Sequence, residues 1–149
     1  VYVERKSGAR SFDDPDAQMI HLLQNWSEEN HFHFVRFEGA GSYAEQLQVF
    51  AQAAVIFGLH GAGLTNLVVA PASCVVVEIP IHHNSNPLFQ ELSAMCGLSH
   101  HVCSVSCEYQ GQITVDAPLL EILRQDLNQA LLGANPGTSG PQTPTSFRG

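Results

Sequence analysis

Two short runs, Ala54-Val55-Ile56-Phe57-Gly58 and Cys74-Val75-Val76-Val77-Glu78-Ile79, constrain the fold of this chain most. Each is apolar at nearly every position instead of at alternate ones. A strand of that kind has to be covered on both faces, as a parallel strand is when helices pack above and below it. The first run opens into Gly61-Ala62-Gly63, and the second is stopped by Pro80.

The flanking segments supply the helices. Residues 1–4 read as a short strand, and 6–13 as a polar loop with Gly8 in it. Asp14 caps a helix with Pro15 at its first position. Met19, Ile20, Leu22, Leu23 and Trp26 form its apolar side. Residues 31–37 alternate strongly, with His31 and His33 on the polar face, and are expected to form a strand ended by Gly39-Ala40-Gly41. Ser42 and Glu45 have capping-box spacing, so a helix follows through Leu47, Val49, Phe50 and Ala54. A short helix is expected after the glycines, up to Ala70-Pro71. Asn86-Pro87 opens another, which runs to Cys96 and ends at Gly97. Residues 101–106 read as a strand, with 113–115 pairing against it as a hairpin. Asp116 caps a last helix, ended by Gly133, that carries Leu119, Leu120, Ile122, Leu123, Leu127 and Leu131. Alternation of this kind predicts an α/β fold, a Rossmann-like parallel sheet with helices on both faces. The domain is expected over 1–133. Residues 134–149, rich in Gly, Pro, Ser and Thr, read as a disordered tail.

Composition narrows the partners. The 149 residues suffice for one domain with a core, at 44% hydrophobic and 13% charged. A formal net charge of -8 argues against a nucleic-acid-binding face, which needs clustered cations. Arg5, Lys6 and Arg10 make one small basic spot, suited to a single small anion. No run of eighteen apolar residues is present, so no membrane contact is expected from this segment. The chain opens on a strand without an initiator Met, so we read it as a fragment of a larger protein. Cys74, Cys96, Cys103 and Cys107 have no CxxC spacing and read as buried free thiols. His82-His83 and His100-His101 match no standard zinc spacing, and neighbours on a strand point to opposite faces. The sequon Asn25-Trp26-Ser27 leans mildly towards the secretory pathway.

Chemistry concentrates at Phe57-Gly58-Leu59-His60-Gly61-Ala62-Gly63-Leu64-Thr65-Asn66. A buried strand ends, glycines permit close approach of a ligand, and a helix begins with N–H groups that suit a phosphate. His60, Thr65 and Asn66 add candidate side-chain donors. Neither a Walker A loop nor a GxGxxG fingerprint is present. A glycine-permitted turn with a capping His explains the bare motif equally well. Arg5, His60-Gly61 and Glu78 all fall at expected strand ends, on the side where such sheets bind ligands.

In ordered combination these pieces resemble glycosyltransferase family 61, which includes plant arabinosyl- and xylosyltransferases and animal secretory-pathway O-linked GlcNAc transferases. The resemblance runs from Arg5 to about His101. Arg5-Lys6 followed by Arg10 is similar to the family's R-x(4–5)-R loop. Tyr43-Ala44-Glu45-Gln46 with Phe50 is similar to its f-x-E-Q helix. His60-Gly61-Ala62-Gly63-Leu64-Thr65-Asn66 matches its signature at every position, and Pro71 and Val77-Glu78-Ile79-Pro80 follow. Asp13 departs from the family, which usually has Asn there.

The resemblance implies a GT-B enzyme with two Rossmann-like domains, of which this chain would be the C-terminal, donor-binding one. It implies inverting, metal-independent transfer from a UDP-sugar to a hydroxyl of a glycan or glycoprotein acceptor, in the ER or Golgi lumen if the parent has a signal anchor. No cofactor is expected, since the UDP-sugar is a substrate. Asp14-Pro15-Asp16 has Asp-x-Asp spacing but reads as helix capping. Without a metal, leaving-group charge must be met by Arg side chains, a helix N-terminus and a His. The expected donor and diphosphate site is therefore Arg5, Arg10, His60, Gly61, Ala62, Gly63, Leu64, Thr65 and Asn66. Glu45, Gln46 and Glu78 have either donor-binding or structural roles. Glu45 is a capping residue or a donor ligand, and Glu78 a ribose acceptor or, by a narrow preference, the partner of an Arg. The general base is expected in the N-terminal domain that this chain lacks. The competing readings are a non-catalytic Rossmann-like binding module and a different Rossmann-like enzyme using His60.

Overall fold

A computed structural model describes residues 1–5, 10–82, 86–108 and 110–134. The strands of the main sheet are β1 (Tyr2–Val3), β3 (Arg36–Phe37), β4 (Val55–Leu59), β5 (Val75–Ile79) and β6 (Ser99–Val102). They form a five-stranded sheet in the order β3-β1-β4-β5-β6, parallel throughout. The helices are α1 (Gln18–Glu29), α2 (Tyr43–Ala51), α3 (Leu88–Met95) and α4 (Ala117–Ala134), with a 3-10 helix over Ala62–Val69. This is the Rossmann-like architecture expected.

Both faces of the sheet are covered, and each buried strand is split between them. Val55, Phe57 and Leu59 of β4, with Val75, Val77 and Ile79 of β5, pack on Met19, Leu23 and Trp26 of α1 and Leu119, Leu123 and Leu127 of α4. Val3, Ile56 and Val76 point the other way, against Phe50 of α2, Leu64 and Leu67 of the 3-10 helix and Phe89 of α3. The period of two sends neighbours to opposite layers, which is why these strands carry no polar face.

Local signals hold, with shifted edges. The Ser42–Glu45 capping box is present in both directions. Asp14 accepts from the amides of Gln18 and Met19, so it closes α1, but the helix begins three residues beyond Pro15. Asp116 and Asn86 cap the helices they precede. Gly133 does not end α4, which runs to Ala134.

Two strand assignments are corrected. Of the alternating run 31–37, only Arg36–Phe37 pairs, because its partner β1 is itself two residues long. The strand expected near 113–115 is β7 (Gly111–Thr114), and it makes no hairpin with β6. It pairs in parallel with β2 (Arg10–Asp13), inside the stretch expected to be a loop. A sequence-local hairpin was displaced by a pairing between segments about a hundred residues apart, which local pattern cannot reveal. Of the expected tail, 134–149, Ala134 is helical, and 135–149 lie outside the described residues.

Candidate functional site: a recess at the reversal of strand order

From β1 the chain moves outward to β3, then crosses back to β4 on the other side of β1. The sheet order reverses between β1 and β4, and the crevice beyond their carboxyl ends is where open α/β sheets bind ligands. Here it is a recess of about 270 Å³ lined by Val3, Glu4, Arg5, Phe37, Glu38, Gly39, Leu59, Gly61 and Gly63.

Glycine lets this crevice close around Arg5. A Cβ at Gly61 would lie 2.6 Å from Arg5 Nη1, and a Cβ at Gly63 would lie 2.6 Å from Val3 Cγ1. Gly61 therefore makes room for the guanidinium, and Gly63 for β1. Arg5 Nη1 also donates to the His60 carbonyl over a long 3.4 Å. On the opposite rim, Arg36 binds Glu4 in a fork, both contacts at 2.5 Å, and stands 3.3 Å from Glu38. The Arg36 guanidinium thus stands between the two rim carboxylates, and hydrogen bonding to Glu4 raises its pKa.

Behind the recess lies a buried polar cluster. His60 and Glu78 are 5% and 1% exposed. His60 Nδ1 is 2.5 Å from Glu78 Oε1, and His100 Nε2 is 2.8 Å from Glu78 Oε2. Ser93 Oγ on α3 is 2.8 Å from His100 Nδ1. The His60 ring also meets Phe89 edge-on, centroids 4.8 Å apart. The sheet register produces this grouping. Gly58 pairs with Glu78 and Val76 with His100, so Glu78 and His100 share the face that α3 covers.

The expected site residues separate into groups. Arg5, Gly61 and Gly63 line the recess. His60 sits directly behind it, its Nδ1 engaged by Glu78. Leu64 is fully buried and contributes a core side chain. Ala62 and Thr65 are exposed and Asn66 is half-buried, all outside the recess lining. The Arg10 backbone belongs to β2, opposite Gly111, and its side chain lies outside the described residues. Glu45 is engaged in the capping box, and hydrogen bonding to Ser42 lowers its pKa. Gln46 donates to the carbonyls of Gly39 and Gly41 and so pins the loop after β3. The preference for an Arg partner of Glu78 is corrected: its two partners are histidines.

Sequence reasoning missed Ser93, His100, Glu38 and Gly39. A period-two reading of 98–102 puts His100 on one face with Leu98, but nothing local says that a buried carboxylate waits there. His101 turns to the other face, where Asp126 of α4 accepts from its Nε2 at 3.1 Å. Asp126, itself 2% exposed, also accepts from the Ser104 amide and hydroxyl, both at 2.9 Å. That second buried cluster ties β6 to α4. Among the described helices none is long and apolar enough to cross a membrane.

The sequence is 35% identical over 80 residues to beta-1,2-xylosyltransferase RCN11 of Oryza sativa subsp. japonica, covering 54% of this chain and 15% of that protein. It is 30% identical over 83 residues to a beta-1,2-xylosyltransferase of Arabidopsis thaliana, covering 56% and 16%. The chain thus spans about a sixth of the length of these curated relatives. The family model for glycosyltransferase 61 matches residues 1–77, more than half of the chain and every residue lining the recess. With the strand-order crevice, the glycine turn and Arg5 all inside the matched region, the chain belongs to glycosyltransferase family 61.

Proposed function

We propose that this chain is the donor-binding half of an inverting, metal-independent glycosyltransferase that moves a sugar from a UDP-sugar to a hydroxyl of a glycan or glycoprotein. The observation that carries this reading is the Arg5 guanidinium lying over Gly61 in the recess between β1 and β4. A diphosphate there meets a fork of N–H donors and the amino end of the 3-10 helix. Charge growing on the leaving diphosphate is stabilised by groups already in place, without a metal ion. The His60 ring supports the turn from behind, and the main chain of His60, Gly61 and Ala62 faces the same end of the sheet.

On this reading the acceptor and the general base belong to an N-terminal domain of the complete enzyme. That enzyme works in the ER or Golgi lumen if it carries a signal anchor, and the present chain binds UDP weakly at best and does not turn over alone. UDP-xylose is the first donor to try, given the names of the relatives. His60→Ala in the complete enzyme is expected to reduce turnover sharply, and near-wild-type activity sinks the assignment. If millimolar UDP gives neither heat nor a shift with the complete enzyme, a non-catalytic binding module is the better reading. Activity on non-nucleotide substrates that survives Arg5→Ala points to a different Rossmann-like enzyme.

A further inference from the structure

A carboxylate as deep as Glu78 is costly unless both oxygens are satisfied. They are satisfied here from two different elements, the turn after β4 and strand β6. Carboxylate oxygens only accept, so His60 Nδ1 and His100 Nε2 both carry hydrogen. In its neutral form His100 has one N–H, so Nδ1 is then an acceptor and the Ser93 hydroxyl its donor. The donors thus converge on Glu78, from α3 through β6 on one side and from the turn after β4 on the other. At the turn, the His60 carbonyl accepts from Arg5.

We propose that Ser93 and His100 are positioning residues for the recess. Through Glu78 they lock His60 in its Nδ1–H tautomer, and through the His60 main chain they hold the Arg5 guanidinium over Gly61. An apolar residue at position 60 would be equally buried, but it would not fix the rotation of the turn, since only a hydrogen bond is directional enough to do so. The inference rests on the donor reading only for what Arg5 binds.

The test uses the 149-residue chain, labelled with 15N and 13C. A long-range 1H–15N spectrum at neutral pH is expected to show His60 with hydrogen on Nδ1 and a bare Nε2. His100 should show the opposite tautomer. Ser93→Ala and His100→Ala are expected to shift the Arg5 guanidinium resonance and weaken UDP binding about threefold to tenfold. His100→Gln, which keeps an N–H near the Nε2 position, should stay close to wild type. Hydrogen on His60 Nε2, or an Arg5 resonance unmoved by Ser93→Ala, overturns the proposal. Ser93→Ala removes a single hydroxyl, so it decides the matter even if His100→Ala does not fold. Failure of the complete enzyme to bind UDP sinks the donor reading alone, and the ring and guanidinium spectra still judge the relay.

Discussion

Gly61→Ala separates binding from folding more cleanly than any other change at the recess. The backbone of Gly61 is extended, with φ 162° and ψ 173°, a conformation open to any residue. The three nearest neighbours of an added Cβ are all atoms of Arg5, with Nη1 at 2.6 Å and Cζ at 3.1 Å. Ordinary contact begins at 3.4 Å, so the guanidinium must withdraw by roughly 0.8 Å, the difference between 3.4 and 2.6 Å. It is the end of a long side chain and can do so at little cost to the fold. The melting temperature is therefore expected to move by no more than a degree or two. Binding should not be spared. A charge-assisted hydrogen bond to phosphate contributes about 1.5–3 kcal/mol, or roughly tenfold to a hundredfold in affinity. A UDP titration followed by chemical shift, beside a thermal melt, reads both quantities. Wild-type affinity in the variant would refute the placement of the diphosphate against Arg5 and Gly61. A large fall in melting temperature would refute the claim that only Arg5 has to move.

Gly63→Ala should behave oppositely, because its Cβ meets Val3 Cγ1 in the core at 2.6 Å. Overpacking of that kind costs about 1–3 kcal/mol, visible as a melt lowered by several degrees. Glu78→Ala leaves two buried imidazole N–H groups without their acceptor, and a loss of about 3–5 kcal/mol is expected in urea unfolding. An unchanged midpoint would show that the histidines are satisfied by other partners. Under native conditions Ellman's reagent should find one fast thiol, Cys96, since Cys74, Cys103 and Cys107 are buried. Burial pushes the Cys74 thiol up to about 11 and raises Cys103 as well, so both favour the protonated folded state. Their stabilising contribution is complete below the unfolded thiol value near pH 8.5 and is lost as pH rises towards 11. Melts between pH 7 and 10.5 should fall only at the alkaline end, and less steeply in Cys74→Ala.

The sequence makes legible those features that are settled within a few residues. The apolar runs at β4 and β5, the capping box of α2 and the glycine turn all stand where their local chemistry puts them. Strand order was legible only as a class. Alternation implies parallel pairing, but nothing in residues 10–13 names 111–114 as their partner. The site was legible in part for the same reason. Arg5 and Gly61 are each marked by type and position, and a strand end brings them together. Glu78 was recognised as a costly buried carboxylate, yet its partners come from the turn after β4 and from β6, with α3 reaching only His100. Sequence patterning says that such a charge must be paired and leaves open which element supplies the pair.

The pairing of β2 with β7 bears on how the domain comes into being during synthesis. The strand Arg10–Asp13 cannot find its partner until Gly111–Thr114 has left the ribosome. Likewise, the layer over α1 stays open until α4 supplies Leu119, Leu123 and Leu127. The recess is lined wholly by residues from the first half of the chain, but its framework closes with the last helix. Contacts so distant in sequence are made late and slowly, and the apolar strands stay exposed in the meantime. A protein truncated soon after residue 77 would keep every residue that lines the recess, yet it would leave β5 with an open edge and half of the sheet uncovered.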